Sequence, residues 1–244
     1  MIDIHNHIIP GIDDGATNLD MSLRLLEQAI EQGITHIVCT PHMHPGRFDN
    51  DRQSIEPAFM DLKSEVAKRA LPVKLAMAAE VRISDELMVQ LKMKQVPFLG
   101  QWQGRPAVLL EMPHGQVPFG VENLLSWLLR QDIQPIIAHP ERNKEIMRSP
   151  DRAQELSDRG ALFQLTAGSV TGDFGEPARQ TSSWLLDSKL VSFVASDAHH
   201  PERRAPAMAA AREVLLQSFG EPLTLSLTET NPMSLTRALF GDAL

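Results

Sequence analysis

Near the start of the chain, MIDIHNHIIPGIDDG places His5 and His7 two residues apart in a short apolar strand, with Asp13 and Asp14 in the loop that follows. Side chains at i and i+2 of a strand point the same way, so the two imidazoles face one site. Further imidazoles and carboxylates close the later apolar stretches: His42, Glu80, Glu111, His139, Asp197 and His199. Neutral imidazole and carboxylate are ligands that Zn, Mn and Fe accept. With Asp14 the candidates number nine. One zinc takes about four ligands, so two or three ions sharing carboxylates are expected, in a multinuclear hydrolytic site. Any single candidate reads more simply as a loop-side polar residue. Nine together do not, because charged groups are rarely buried unless paired or metal-bound.

Elements must bring these residues to one face. Strands are expected at the N-terminus and at ITHIVCT (34–40), VKLAMAAEV (73–81), AVLLE (107–111), IQPIIAH (133–139), ALFQLT (161–166) and VSFVASD (191–197). Between them the apolar spacing predicts helices from Asn18 or Asp20 to Gln32, then over 51–70, 84–94, 119–131, 150–159, 177–189 and 204–218. Short helices over 221–240 close the chain. Strands alternating with helices imply an α/β fold with parallel strands and right-handed crossovers. In a β/α barrel the C-terminal strand ends converge on one face, which would gather all nine candidates. The sixth strand, ending at Thr166, supplies none. No linker or composition shift divides the chain, so residues 1–244 are read as one domain.

The 244 residues carry a formal charge of −8 and are 43% hydrophobic, which fits a globular protein with a sizeable core. Net acidity argues against a nucleic-acid binder that relies on a basic face. No apolar run approaches the roughly 18 residues of a membrane span. The N-terminus lacks a basic and apolar leader and candidate ligands begin at residue 5, so a cytoplasmic location is expected. A single cysteine, Cys39, excludes an internal disulfide.

The motifs HxH, PH after the second strand, an internal Glu, AHPER and ASDAH resemble the PHP (polymerase and histidinol phosphatase) superfamily. MIDIHNHIIPGIDDGA, CTPHMHPG, AEVRI, LLEMP, PIIAHPERN, LTAGSVTGDFG and SFVASDAH resemble more narrowly the bacterial manganese-dependent protein-tyrosine phosphatases of the CpsB/CapC/YwqE type, in order along the whole chain. That resemblance implies a distorted (β/α)7 TIM-like barrel with three divalent ions, manganese first and Fe or Zn as alternatives. His5, His7, Glu80 and Asp197 would hold one ion. Glu80 would bridge to a second, shared with Glu111 and His139, and Asp14, His42 and His199 would hold the third. Arg142 and Arg204 match the family's phosphate-binding arginines. Arg203 is adjacent, but a spacing of five residues after His199 favours Arg204. The implied substrate is a tyrosine-phosphorylated kinase that autophosphorylates and controls capsule or exopolysaccharide synthesis. The implied chemistry is in-line attack by a metal-bridging hydroxide, with no cysteine phosphoenzyme.

Cys39 competes as nucleophile, but it lies in an apolar strand, and the arginine expected six residues after such a cysteine is replaced by Pro45. Asp13 reads as a loop residue and His36 as structural. His44, His114 and His200 read as loop residues near the bowl, with Phe48 a loop anchor or a platform for a substrate ring. Alternative functions are a histidinol-phosphatase-type small-molecule phosphomonoesterase and a non-catalytic kinase-binding modulator. A nuclease is disfavoured by the acidity.

Overall fold

A computed structural model describes residues 1–241. Its strands are β1 (Ile2–Asp3), β2 (His36–Cys39), β3 (His42–Met43), β4 (Lys74–Met77), β5 (Glu80–Arg82), β6 (Gln101–Trp102), β7 (Arg105–Glu111), β8 (Gln134–Ala138), β9 (Leu162–Thr166) and β10 (Val191–Ala195). They form a mixed α/β fold with two sheets, one ordered β1-β2-β4 and the other β10-β9-β8-β7-β5-β3. Pairing is parallel throughout, except that β6 folds back antiparallel on β7.

Each expected strand is present, but the stretch 73–81 is broken at Ala78–Ala79, and beyond the expected end of 34–40 the chain leaves the ladder at Thr40–Pro41 and rejoins one as β3. Proline has no N–H to give to a ladder. Two bonds keep the stretches in step across the gap, Ala78 N–H to the Cys39 carbonyl at 2.8 Å and Glu80 N–H to the Pro41 carbonyl at 3.1 Å. The β6 hairpin lies in a segment with no expected element, and a short helix at Ala167–Thr171 was also not expected.

The helices follow their sequence signals closely. Asn18 caps Leu19–Glu31 by accepting the Met21 N–H, and Asp51 with Ser54 forms a capping box on Arg52–Lys68. The helix expected from 204 begins only at Met208. Pro206 disfavours helical backbone at Ala205, and Arg204 just before it is held in a bridge to His200.

Strand residues alternate between two apolar layers, as a period of two requires. Ile37, Val108, Leu110, Ile137 and Phe163 pack among the helices. Val38, Ala76, Leu109, Ile136 and Phe193 form a second cluster on the opposite strand face. Trp102 belongs to this second layer, its ring edge-on to Phe193 at 5.3 Å. Among the described residues no helix is long and apolar enough to cross a membrane.

Asp3 ties the first stretch to the last. Its buried carboxylate accepts the Ser196 N–H at 2.9 Å, the Ser196 hydroxyl at 2.6 Å and the Asn6 amide at 3.1 Å. Burial pushes the Asp3 carboxyl up, and these donors oppose the shift. The result is a fixed register between residues 3–7 and 195–198, where two of the chemical motifs lie.

Candidate metal centre

His5 and His7 leave the end of β1 with their Nε2 atoms 3.4 Å apart. Their orientation is set from behind. The Asp13 carboxylate, which can only accept, takes the His7 Nδ1–H at 2.7 Å, and the Gln164 Oε1 lies 2.7 Å from His5 Nδ1. The Gln164 amide is itself fixed by donating to the Leu165 carbonyl at 2.7 Å. Both imidazoles therefore present an Nε2 lone pair to the bowl, the arrangement that outer carboxylates and amides impose on ligating histidines.

This adds to two sequence readings. Asp13 is a buried orienting group that also accepts the Gly15 and His42 backbone N–H groups, so it is more than a loop residue. Strand β9, expected to supply no ligand, carries Gln164, which orients His5. A neutral glutamine in the apolar run ALFQLT has no sequence signal beyond its polarity. The Asp13 signal was available, in its position beside Asp14 in a loop closing on an HxH strand.

The other candidates converge on Glu80. Its Oε2 lies 3.3 Å from His5 Nε2, 3.4 Å from His7 Nε2 and 3.0 Å from His42 Nδ1, while its Oε1 lies 2.8 Å from His139 Nε2. Asp197 Oδ1 is 3.4 Å from both His5 and His7 Nε2 and 3.5 Å from His199 Nδ1. Asp14 Oδ1 sits 3.3 Å from His42 Nε2 and 3.6 Å from His199 Nε2. Glu111 Oε2 stands 3.8 Å from His42 Nδ1.

Four overlapping groups among the described residues bring ligand atoms within 4.8 Å of one another: His7, Asp14, His42 and His199; His5, His7 and Glu80; His5, His139 and Asp197; His42, Glu80 and Glu111. Together they contain all nine sequence candidates. The geometry pairs them somewhat differently from the expected division, grouping His139 with His5 and Asp197, and His42 with Glu80 and Glu111.

Two of the central residues hold strained backbone. His139 and Asp197 have φ of 35° and 52°, a left-handed conformation that non-glycine residues rarely adopt. Each such residue costs about 1–3 kcal/mol and persists where surrounding structure fixes it. Here the fixing bonds are His139 N–H to the Gln164 carbonyl at 2.8 Å and Asp197 N–H to the His5 carbonyl at 2.7 Å.

Charge is concentrated and partly unmet. His42 Nδ1, Glu80 Oε2, Glu111 Oε2 and Asp197 Oδ1 are buried without a hydrogen-bond partner. Such orphans are costly unless something else satisfies them. Four inward imidazole and carboxylate atoms of this kind fit divalent cations, which need that donor set.

Electrostatics alone already distort every group. Burial opposes charge on Glu80 and Asp197, but nearby His5 and His42 hold Glu80 well below the carboxylate range, and Arg204 with His5 does the same to Asp197. Burial also opposes protonation of His42, yet Glu80 raises it to about 9, and Asp13 raises His7 well above its usual value. Burial and Arg142 press His139 down to about 4, and burial and the His7 charge press His199 down to about 4. Glu111 is pushed up by burial and by the neighbouring Glu80 charge.

Four arginines border the bowl. Arg142 Nη1 reaches Asp197 Oδ2 at 2.5 Å, and Arg204 Nη2 contacts the same oxygen. Arg82 Nη1 pairs with Glu111 Oε1 at 3.1 Å, and Arg47 Nη2 with Asp14 Oδ2 at 3.1 Å. Arg142 and Arg204 were expected there. Arg82 and Arg47 were missed, although Arg82 lies two residues after Glu80 and so on the same strand face. Arg203 is exposed and makes no such contact. Phe48 stacks parallel to His42 at 5.5 Å, at the edge of the bowl. Cys39 is fully buried in the helix-facing core, and burial pushes its thiol far above its usual value.

Comparison with known proteins places the chain beside a defined family. The family model described as "Capsular polysaccharide synthesis, CpsB/CapC" matches residues 1–237. The putative tyrosine-protein phosphatase CapC of Staphylococcus aureus is 38% identical over 199 residues, covering 82% of this chain and 77% of that protein. The tyrosine-protein phosphatase YwqE of Bacillus subtilis strain 168 is 36% identical over 229 residues, covering 94% and 89%. A solved structure from work on Bacillus subtilis YwqE and Streptococcus pneumoniae CpsB, described as unique metal-dependent tyrosine phosphatases, superposes with a TM-score of 0.89 at 34% identity. It covers 100% of this chain and 96% of the other.

Proposed function

The chain belongs to the CpsB/CapC family of capsular polysaccharide synthesis proteins, and from that premise we propose that it is a metal-dependent protein-tyrosine phosphatase. The observation that carries this reading is the meeting of nine imidazole and carboxylate ligands with Arg142 and Arg204 in one bowl. The crowding of an inward imidazole nitrogen and three carboxylate oxygens, His42 Nδ1, Glu80 Oε2, Glu111 Oε2 and Asp197 Oδ1, none of them in a hydrogen bond, supports three divalent ions there, manganese first, with Fe or Zn accepted by the same donors. His5, His7, Asp14, His42, Glu80, Glu111, His139, Asp197 and His199 would hold them, Glu80 serving more than one ion.

Bound divalent ions supply Lewis-acid polarisation of phosphoryl oxygens and a water of lowered pKa. The chain's own residues do the rest. Asp13 and Gln164 keep the Nε2 lone pairs of His7 and His5 aimed inward. Arg142 and Arg204 bind the equatorial phosphoryl oxygens, where charge grows in the transition state. The leaving group, a tyrosine phenolate with a pKa of about 10, departs without much help from a general acid.

The reading includes one domain with a distorted (β/α)7 TIM-like barrel. Hydrogen bonds joining the stretch after β1 to the stretch after β10, in the other sheet, support closure, with His7 N–H to the Ala198 carbonyl at 2.8 Å and Asp197 N–H to the His5 carbonyl at 2.7 Å. It also takes as substrate an autophosphorylating tyrosine kinase of capsule or exopolysaccharide synthesis, acted on in the cytoplasm. Rates on a tyrosine-phosphorylated peptide and on histidinol phosphate, both with manganese, test the substrate class. Preferential turnover of the peptide is expected, and preferential turnover of histidinol phosphate would contradict it.

A further inference from the structure

We infer that Phe174 is a positioning residue that holds Arg142 and Arg204 side by side as one phosphate-binding unit, an inference that rests on the phosphatase reading above. The two arginines come from different loops, after β8 and after β10. Long side chains of this kind lose much rotamer freedom when they are fixed together. Phe174 comes from the segment after β9, the strand that lies between those two in the sheet. Its ring centroid is 4.4 Å from Arg142 Cζ and 5.3 Å from Arg204 Cζ, within cation–π range of both. Both guanidinium groups reach the same Asp197 oxygen from that platform.

The ring is itself held in place. The helix Ala167–Thr171 ends at Gly172, whose φ of 97° turns the chain sharply, and the Asp173 N–H closes on the Gly168 carbonyl at 2.7 Å. A Cβ at Gly168 would stand 2.9 Å from Phe174 Cε2 and 3.2 Å from its Cδ2, so the ring occupies space that only glycine leaves. The GDFG motif thus has a physical role apart from any ligand. It places one aromatic ring within cation–π reach of two guanidinium groups whose mutual repulsion the shared Asp197 carboxylate also opposes.

Binding of inorganic phosphate to the manganese-loaded protein, measured by calorimetry beside kcat and KM on phosphotyrosine peptide, tests this. Phe174→Leu keeps apolar bulk but lacks the π face, and Phe174→Tyr keeps the face. Phe174→Leu is expected to weaken phosphate binding at least about fivefold (about 1 kcal/mol), with the loss mainly in KM and the metal content unchanged. Phe174→Tyr should bind within about twofold of the unmodified protein, a span of about 0.4 kcal/mol. Equal phosphate affinity in Phe174→Leu and the unmodified protein would overturn the inference, as would an unmodified protein that binds no phosphate. If the unmodified protein binds phosphate but leaves phosphotyrosine intact while the Leu/Tyr contrast holds, the function reading fails and the role of Phe174 stands.

Discussion

Asp13 and Cys39 separate residues that act from residues that pack. The Asp13 carboxylate accepts backbone N–H groups from Gly15 and His42, and it fixes the His7 ring through a 2.7 Å bond. Losing such an outer partner typically costs about 10–100-fold in metal affinity or activity. Asp13→Ala should fall in that range with its fold intact, as circular dichroism beside metal titration would check. Cys39→Ser should keep most activity, because a fully buried thiol pushed upward is no nucleophile. Complete loss in a folded Cys39→Ser protein would point to cysteine chemistry. His42 gives the pH dependence. In the chain without cations its pKa is raised from 6.5 to about 9, so its protonated form contributes stability that is full below pH 6.5 and lost as pH rises through about 9. A metal ion competes with that proton. Calorimetric titrations should therefore show manganese binding more tightly at pH 9 than at pH 7, with proton release at the lower pH.

The strand ends made the ligands legible in the sequence, because charged residues terminating apolar runs stand out against the alternation around them. His139 and Asp197 were found this way. Their left-handed backbone was not, since it depends on bonds to Gln164 and His5 more than 20 residues away. The breaks at Thr40–Pro41 and Ala78–Ala79, the β6 hairpin and the Ala167–Thr171 helix were also illegible, being short and set by tertiary contacts. The same holds for the clamp between the first and last strands. Asp3→Ala removes an acceptor from Ser196 and Asn6 and leaves buried donors unpaired. Each orphaned donor costs about 1–3 kcal/mol. Denaturant unfolding should show a loss of at least about 2 kcal/mol at unchanged slope. A smaller loss would mean that the two ends are held together by apolar packing alone.

For the molecule as a whole, a net charge of −8 coexists with a bowl that must attract a phosphate dianion. The bordering arginines and the proposed cations would reverse the sign locally, so charge counted over the chain misjudges the site. Each such cation should stabilise the fold by about 2.7 kcal/mol at metal concentrations 100-fold above its Kd. A chain of this length gains about 2–4 °C per kcal/mol, so chelation should lower Tm by at least roughly 5–10 °C. The most direct measurement is the metal content of the purified protein, read beside phosphotyrosine turnover, for the unmodified chain and a His5→Ala/His7→Ala double variant. Multiple divalent ions per chain with active turnover are expected, with both the metal content and the activity falling together in the variant. A double variant that stays fully active, or an unmodified protein that is equally active after its metal is removed, would contradict the metal-centred phosphatase.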